Sequence, residues 1–71
     1  NSVAPGWVET DMTRDVFDDT ASRESILKTI PVGRVATPED IAGPIVFLCS
    51  KWADNISGEV LNVNGGSVLC G

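Results

Sequence analysis

The segment Thr37-Pro38-Glu39-Asp40-Ile41-Ala42 constrains the fold more than any other stretch of this 71-residue chain. Thr37 can cap a helix, Pro38 suits its first turn because a backbone N–H there would lack a partner anyway, and two carboxylates meet the positive end of the helix dipole. The spacing predicts a helix from Pro38 to about Ser50. Its apolar residues Ile41, Ile45, Val46, Leu48 and Cys49 cover a wide arc, which predicts packing under a sheet instead of on an open surface. Pro44 removes one backbone donor and crowds the carbonyl of Asp40, so a kink is expected near the first turn, with Gly43 easing the fit.

Strand signals stand at the two ends. Val3 and Ala4 before Pro5-Gly6 read as the end of a strand entering a loop, since Pro5 fixes its own φ and holds Ala4 extended. After a polar loop around Asp54 and Asn55, Gly58 opens a strand from about Glu59 to Val63, and Gly65-Gly66 ends it in a turn. Between them a short helix is expected from about Met12 to Asp18, capped by Thr10 or Asp11. It puts Met12, Val16 and Phe17 on one side and Arg14, Asp15, Asp18 and Asp19 on the other. A second helix from near Ser22 to before Pro31 buries Ile26, Leu27 and Ile30 and exposes Arg23, Glu24 and Lys28. The pattern is α/β, without repeats or linkers.

A chain of this length hides only about 60% of its unfolded surface and gains roughly 3–5 kcal/mol from one core, so it forms at most one domain. Two cysteines, no histidine and no clustered ligand spacing leave no expected metal site, and association with another chain is the expected remedy for the small core. Cys49 lies inside an apolar helical pattern and Cys70 next to the end. Reduced thiols and a cytoplasmic setting are expected in preference to a disulfide. The net charge of −5 repels the phosphate backbone, which excludes nucleic acid as an expected partner. The longest apolar run, Ile45 to Cys49, is far short of the roughly 20 residues that cross a bilayer, so no membrane partner is expected.

Three motifs in fixed order carry a resemblance. Asn1-Ser2-Val3-Ala4-Pro5-Gly6 with Thr10 resembles an N-x-x-x-P-G-x-x-x-T segment, Gly33-Arg34 with Pro38-Glu39-Asp40-Ile41-Ala42 resembles a G-R…P-E-D-I-A block, and Val46-Phe47-Leu48-Cys49-Ser50 matches V-x-F-L-x-S. These are motifs of the short-chain dehydrogenase/reductase family. With Ile56-Ser57-Gly58-Glu59-Val60-Leu61-Asn62-Val63-Asn64-Gly65-Gly66 they make the chain similar to the family's C-terminal third. The resemblance implies that residues 1–71 are a single partial domain, truncated at the front. The implied fold is the C-terminal portion of a Rossmann-type, doubly wound α/β fold. It has two or three helices, a final strand and a strand stub, and is completed by oligomerisation.

The resemblance also implies function. The parent would be an NAD(P)-dependent oxidoreductase interconverting a ketone and a secondary alcohol. Pro5 and Gly6 would border the nicotinamide, the backbone of Val8 would bond its carboxamide, and the Thr10 hydroxyl would serve the carboxamide or a phosphate oxygen. Asp11 to Ile30 would be the substrate lid, with Trp7, Met12, Val16 and Phe17 able to line a cleft, although ordinary core positions suit Val16 and Phe17 better. Arg34 is expected to pair with Glu39 or Asp40. The adjacent acidic pairs Asp18-Asp19 and Glu39-Asp40 point in different directions on a helix, so no acid–base role is expected of them. Asn64 stands where the family most often has Asp.

Catalysis in that family needs a Gly-rich phosphate turn and a serine with a Tyr-x-x-x-Lys pair. This sequence has no tyrosine, so no catalytic residue is assigned. The isolated chain is expected to bind no cofactor and to be inactive. Homo-oligomer contacts are expected through the final strand and last helix, whose uncovered edge presents unpaired donors and acceptors. A non-enzymatic, self-associating α/β module is the competing expectation.

Overall fold

The computed structural model describes residues 1–68, so Cys70 and its expected free thiol lie outside the described residues. Strands β1 (Ser2–Pro5) and β2 (Val60–Val63) pair in parallel, with Ser2 opposite Val60 and Pro5 opposite Val63. Parallel strands need a long crossover, and three helices provide it: α1 (Arg14–Asp18), α2 (Thr20–Leu27) and α3 (Pro38–Leu48). A single 3₁₀ turn, Lys51–Ala53, lies in the region expected to be a polar loop. The side chain of Asn1 fastens the two ends together, donating from Nδ2 to the Ile56 carbonyl at 2.9 Å and accepting the Glu59 N–H at 3.0 Å.

Both short helices start elsewhere than expected. The N-cap of α1 is Thr13, not Thr10 or Asp11, because the Thr13 N–H closes a turn onto the Thr10 carbonyl at 3.1 Å while its Oγ1 accepts the Thr10 N–H at 3.0 Å. Met12 therefore falls outside the helix and stands 95% exposed, so it joins neither the apolar side of α1 nor any cleft. Helix α2 begins at Thr20 because Asp19, expected on a solvated face, instead caps it by accepting from Ser22 N at 3.2 Å and Ser22 Oγ at 2.5 Å.

Helix α3 opens with a reciprocal capping box. Thr37 N donates to Asp40 Oδ2 at 2.9 Å, and Asp40 N donates to Thr37 Oγ1 at 3.3 Å, so two orphan donors of the first turn are satisfied at once. The helix runs on through Pro44 as one element. It stops at Leu48, two residues earlier than expected, where Ser50 turns its N–H and hydroxyl onto the Phe47 carbonyl at 3.0 and 2.6 Å.

The wide apolar arc of α3 is only partly used. Ile41, Pro44 and Leu48 are half-buried, and Leu48 shares a shallow hollow with Asn1, Ser2 and Val3. Ile45, Val46 and Phe47 remain exposed, with Val46 at 67%.

The core instead sits under the crossover. Phe17, Ile30 and Val35 are buried against one another, Ile26 and Leu27 pack onto them, and the Trp7 ring meets Phe17 edge-on with centroids 5.7 Å apart. The Gly65-Gly66 turn is pressed onto the end of this region. Gly65 has φ +63°, and a Cβ there would lie 2.7 Å from Ile30 Cγ2, so only glycine fits. Its carbonyl accepts the Val32 N–H at 3.0 Å. The resulting body measures 43 × 24 × 15 Å with a radius of gyration of 13.7 Å, whereas a compact domain of this length would have about 11 Å.

Candidate functional site

The loop from Pro5 to Thr10 leaves the carboxyl end of β1, the edge where open α/β sheets hold their ligands. It is held from both sides. Gly6 N donates to the Val63 carbonyl at 3.2 Å, and a Cβ on Gly6 would meet Asn64 Cβ at 2.8 Å. The loop thus lies directly on the end of β2, which gives Gly6 a packing reason besides any approach to a ligand. Asn64, in turn, keeps its own turn closed, its Oδ1 accepting the Gly66 N–H and its Nδ2 donating to the Val68 carbonyl, both at 2.9 Å. The amide does there what an aspartate could do only in part, since a carboxylate accepts but does not donate.

On the other side Ala36 makes a parallel bridge to Val8. Ala36 N donates to the Trp7 carbonyl at 3.2 Å, and Glu9 N donates to the Ala36 carbonyl at 2.8 Å. In such a bridge both bonds belong to the single residue Ala36, so the N–H and C=O of Val8 itself point the opposite way. The Val8 carbonyl accepts the Thr13 hydroxyl at 2.8 Å. Among the described residues the Val8 N–H and the Thr10 hydroxyl have no hydrogen-bond partner, and Thr10 is exposed. Pro5, Gly6, Val8 and Thr10 therefore lie on one continuous loop, with two uncommitted donors near its far end.

Ala36 is fixed by what surrounds it. Arg34 reaches over it to Asp40 with two bonds, Nη1 to Oδ2 at 2.6 Å and Nη2 to Oδ1 at 3.2 Å. Of the two acidic partners expected for Arg34, the structure selects Asp40. The Arg34 guanidinium, followed by the Thr37 N–H, holds the Asp40 carboxyl below the ordinary carboxylate range, and the same pair raises Arg34. Arg14 pairs with Asp11 at the surface.

Trp7 separates two hollows. One, of about 220 Å³, is lined by Trp7, Ile30, Arg34, Ala36, Val63 and Asn64, among others. The other, of about 460 Å³, lies against α1 and α2 and is lined by Trp7, Val16, Ala21, Ser22, Ser25 and Ile26. Of the four residues expected able to line a cleft, Trp7 and Val16 do so, while Phe17 is 5% exposed in the core. Thr13 and Ala36 were not singled out from the sequence. The three-residue spacing from Thr10 to Thr13 signals a hydroxyl-closed turn, whereas nothing local marks Ala36 as a partner of Val8.

A parallel pair of strands joined by a helical crossover, with a glycine-bearing loop at its carboxyl edge, belongs to the Rossmann-type α/β class. Residues 1–68 match the family model described as Enoyl-(Acyl carrier protein) reductase. The chain is 50% identical over 69 residues to the 3-oxoacyl-[acyl-carrier-protein] reductase FabG of Vibrio harveyi, and 44% identical over 66 residues to the 2-dehydro-3-deoxy-D-gluconate 5-dehydrogenase of Bacillus subtilis. Those alignments cover 97% and 93% of this chain but 28% and 26% of the two relatives. Among solved structures, an Agrobacterium tumefaciens protein proposed to be a 2-deoxy-d-gluconate 3-dehydrogenase, with bound NADP, superposes with a TM-score of 0.86. It is 48% identical, and the match covers 92% of this chain and 26% of that one. A 4-hydroxyisoleucine dehydrogenase complexed with NADH and succinate gives 0.92 at 28% identity, covering 99% and 29%. The chain belongs to the short-chain dehydrogenase/reductase family and spans little more than a quarter of the length of these relatives.

Proposed function

We propose that this chain supplies the nicotinamide-side wall of the coenzyme site in an NAD(P)-dependent oxidoreductase that interconverts a ketone and a secondary alcohol. The observation that carries the reading is the Val8 backbone: with Ala36 occupying the other side of the loop, its N–H has no partner among the described residues, and the Thr10 side chain two residues on is exposed. An amide donor and a hydroxyl suit a carboxamide, whose oxygen accepts and whose nitrogen donates. Pro5 and Gly6 form the backbone ledge beneath, and the hollow between Trp7 and α2 is on the substrate side. NAD or NADP, when bound, takes or gives the hydride; the chain's own groups bind and orient the ring.

The same reading assigns no catalytic group to residues 1–71, which contain no tyrosine to polarise a carbonyl. Purified alone, the chain is expected to show no oxidation of NADH or NADPH with any carbonyl substrate. The positive test replaces the matching segment of Vibrio harveyi FabG with this chain. NADPH oxidation by the chimera supports the proposal, and Thr10→Ala in it should raise the coenzyme KM. A soluble, folded chimera without turnover sinks it.

Association is proposed for the faces left open. The accessible surface is 5155 Å², whereas a monomer of this mass would expose about 4250 Å². Exposed Ile45, Val46 and Phe47 on α3, with Trp52 and Val60, form the apolar part of the α3 and β2 side. A second copy meeting α3 and β2 covers them, which also motivates the competing reading of a self-associating, non-enzymatic module. Light scattering separates association from its absence: a folded monomer at micromolar concentration removes the homo-oligomer. Among the described residues no helix is long and apolar enough to cross a membrane. Cys49 is exposed and unpaired among the described residues, which suits a reducing, cytoplasmic compartment; fractionation of a tagged copy checks this.

A further inference from the structure

The Arg34–Asp40 pair joins two pieces of backbone that local structure alone would not hold in register. Asp40 belongs to α3 and is already tied to Thr37 by the capping box, with its Oδ2 accepting the Thr37 N–H at 2.9 Å. Arg34 lies on the far side of Val35 and Ala36. Because Asp40 Oδ2 accepts from both Arg34 Nη1 and the Thr37 N–H, these bonds close a ring that runs along the backbone from Arg34 through Val35 and Ala36 to Thr37. Val35 anchors this ring in the core with Phe17 and Ile30. Ala36 presents its N–H and C=O outward, to Trp7 and Glu9.

From this arrangement we infer that Arg34 and Asp40 are positioning residues for the nicotinamide half of the coenzyme, acting through Ala36 on the Val8 N–H. The inference rests on the coenzyme reading above. A planar guanidinium gripping both oxygens of a carboxylate resists rotation about either side chain, which a single point charge does not. It ties the extended Ala36 segment to the first turn of α3. The bridge to Val8 then holds the loop at a fixed angle. A displacement of even 1 Å at a group that orients a reacting ring is enough to cost up to a hundredfold in rate or affinity.

Two measurements test this. In the 71-residue chain, Asp40→Asn keeps an acceptor for Thr37 but removes the charge, and is expected to speed amide exchange at Glu9 and Ala36 at least tenfold while leaving Ser2 and Gly6, which bond across β1 and β2, unchanged. Equal rates at all four amides, or a uniform acceleration, overturn the inference; the second result would mean that the pair holds the whole fold. In the FabG chimera, Arg34→Gln is expected to raise the NADPH KM about ten- to a hundredfold while the chimera stays folded at the assay temperature, and Arg34→Lys to recover only part of it, since the two-point grip is lost. An unchanged KM in an active chimera refutes the positioning role alone. An inactive chimera before any substitution refutes the coenzyme reading instead.

Discussion

Between Trp7 and Ala36 the chain buries Phe17, Ile30 and Val35 against one another, with a tryptophan ring closing the edge. Between Thr37 and Val63 the described residues bury Ala53 and leave Ile45, Val46, Phe47, Trp52 and Val60 in solvent. The second region nevertheless carries the longest helix and the best local signals. Its order comes from the capping box, the proline at the start of α3, the bond from Arg34 and the ladder between β1 and β2. The first region has short helices and weak caps but a cluster of its own. Local hydrogen bonding and side-chain burial are thus divided between two parts of one small chain, and a part rich in the first but poor in the second has faces to offer a partner.

The hardest test of this division is Phe17→Ala. Removing a buried aromatic ring costs about 3–5 kcal/mol, as much as a core of this size supplies in total. The cluster beneath α1 and α2 should open, seen as a red shift and quenching of Trp7 emission, which a Trp52→Phe background isolates. Helical signal from α3 should largely survive. If amides in α3 and in α1 and α2 lose protection together at the same denaturant concentration, the two regions are one cooperative unit and the comparison fails.

A smaller effect is expected where the regions touch. Gly65→Ala forces a residue with a side chain into φ +63° and drives a Cβ to 2.7 Å from Ile30 Cγ2. A cost of about 1–3 kcal/mol is expected from the backbone conformation, read as a lower urea midpoint. Gly43→Ala is the control, since a Cβ there meets nothing within 4 Å and the helix should gain from the exchange.

Much of this was legible in the sequence, and the boundary between what was and was not follows physical range. Ile30 was expected buried from its apolar type and is covered by Phe17 and Val35, whereas the Thr37 cap, Pro38 in the first turn and the Gly58 and Gly65-Gly66 punctuation all depend on interactions a few residues apart. The pairing of Arg34 with an acidic residue was readable for the same reason. The α1 cap was misplaced because Thr10, Asp11 and Thr13 all suit the role by type, and only the path of the preceding loop, pinned by Ala36, makes Thr13 close the turn. That pinning spans 28 residues and leaves no local trace. Met12 fell on the wrong side of the reckoning as a direct result. The arc on α3 predicted a helix packed under a sheet, yet Ile45, Val46 and Phe47 stand exposed, because helical periodicity reports that a face is apolar and not what covers it. For the candidate loop, the motif marked Pro5, Gly6, Val8 and Thr10, while the direction of the Val8 N–H required the register with Ala36.

The cap of α3 offers a graded test. Thr37→Ala should cost about 1 kcal/mol, measured as a drop in thermal midpoint. Acid probes the same corner. Because Arg34 and then Thr37 depress the Asp40 carboxyl in the folded state, its contribution is fully present above the ordinary carboxylate value of about 4 and drains away as pH falls below it. The thermal midpoint should therefore fall on acidification, and Asp40→Asn should flatten that fall. An identical acid profile for the two proteins would place the sensitivity in other carboxylates.

The least costly substitution is the most informative about the open face. Val46 is 67% exposed, so Val46→Lys removes little buried area and should change the stability of a monomer by no more than about 0.5 kcal/mol. Lysine also favours a helix slightly over valine, because an unbranched side chain keeps more of its rotamers there. If α3 is covered by a second copy, the same change buries a charge without a partner, and association should weaken far more than the fold does. Sedimentation of wild type and variant across a concentration series reads the two effects apart: a variant that stays monomeric with an unchanged thermal midpoint at low concentration locates the contact on α3. A variant that associates like wild type leaves Val46 outside the interface, and the exposed arc must then meet something other than a copy of itself.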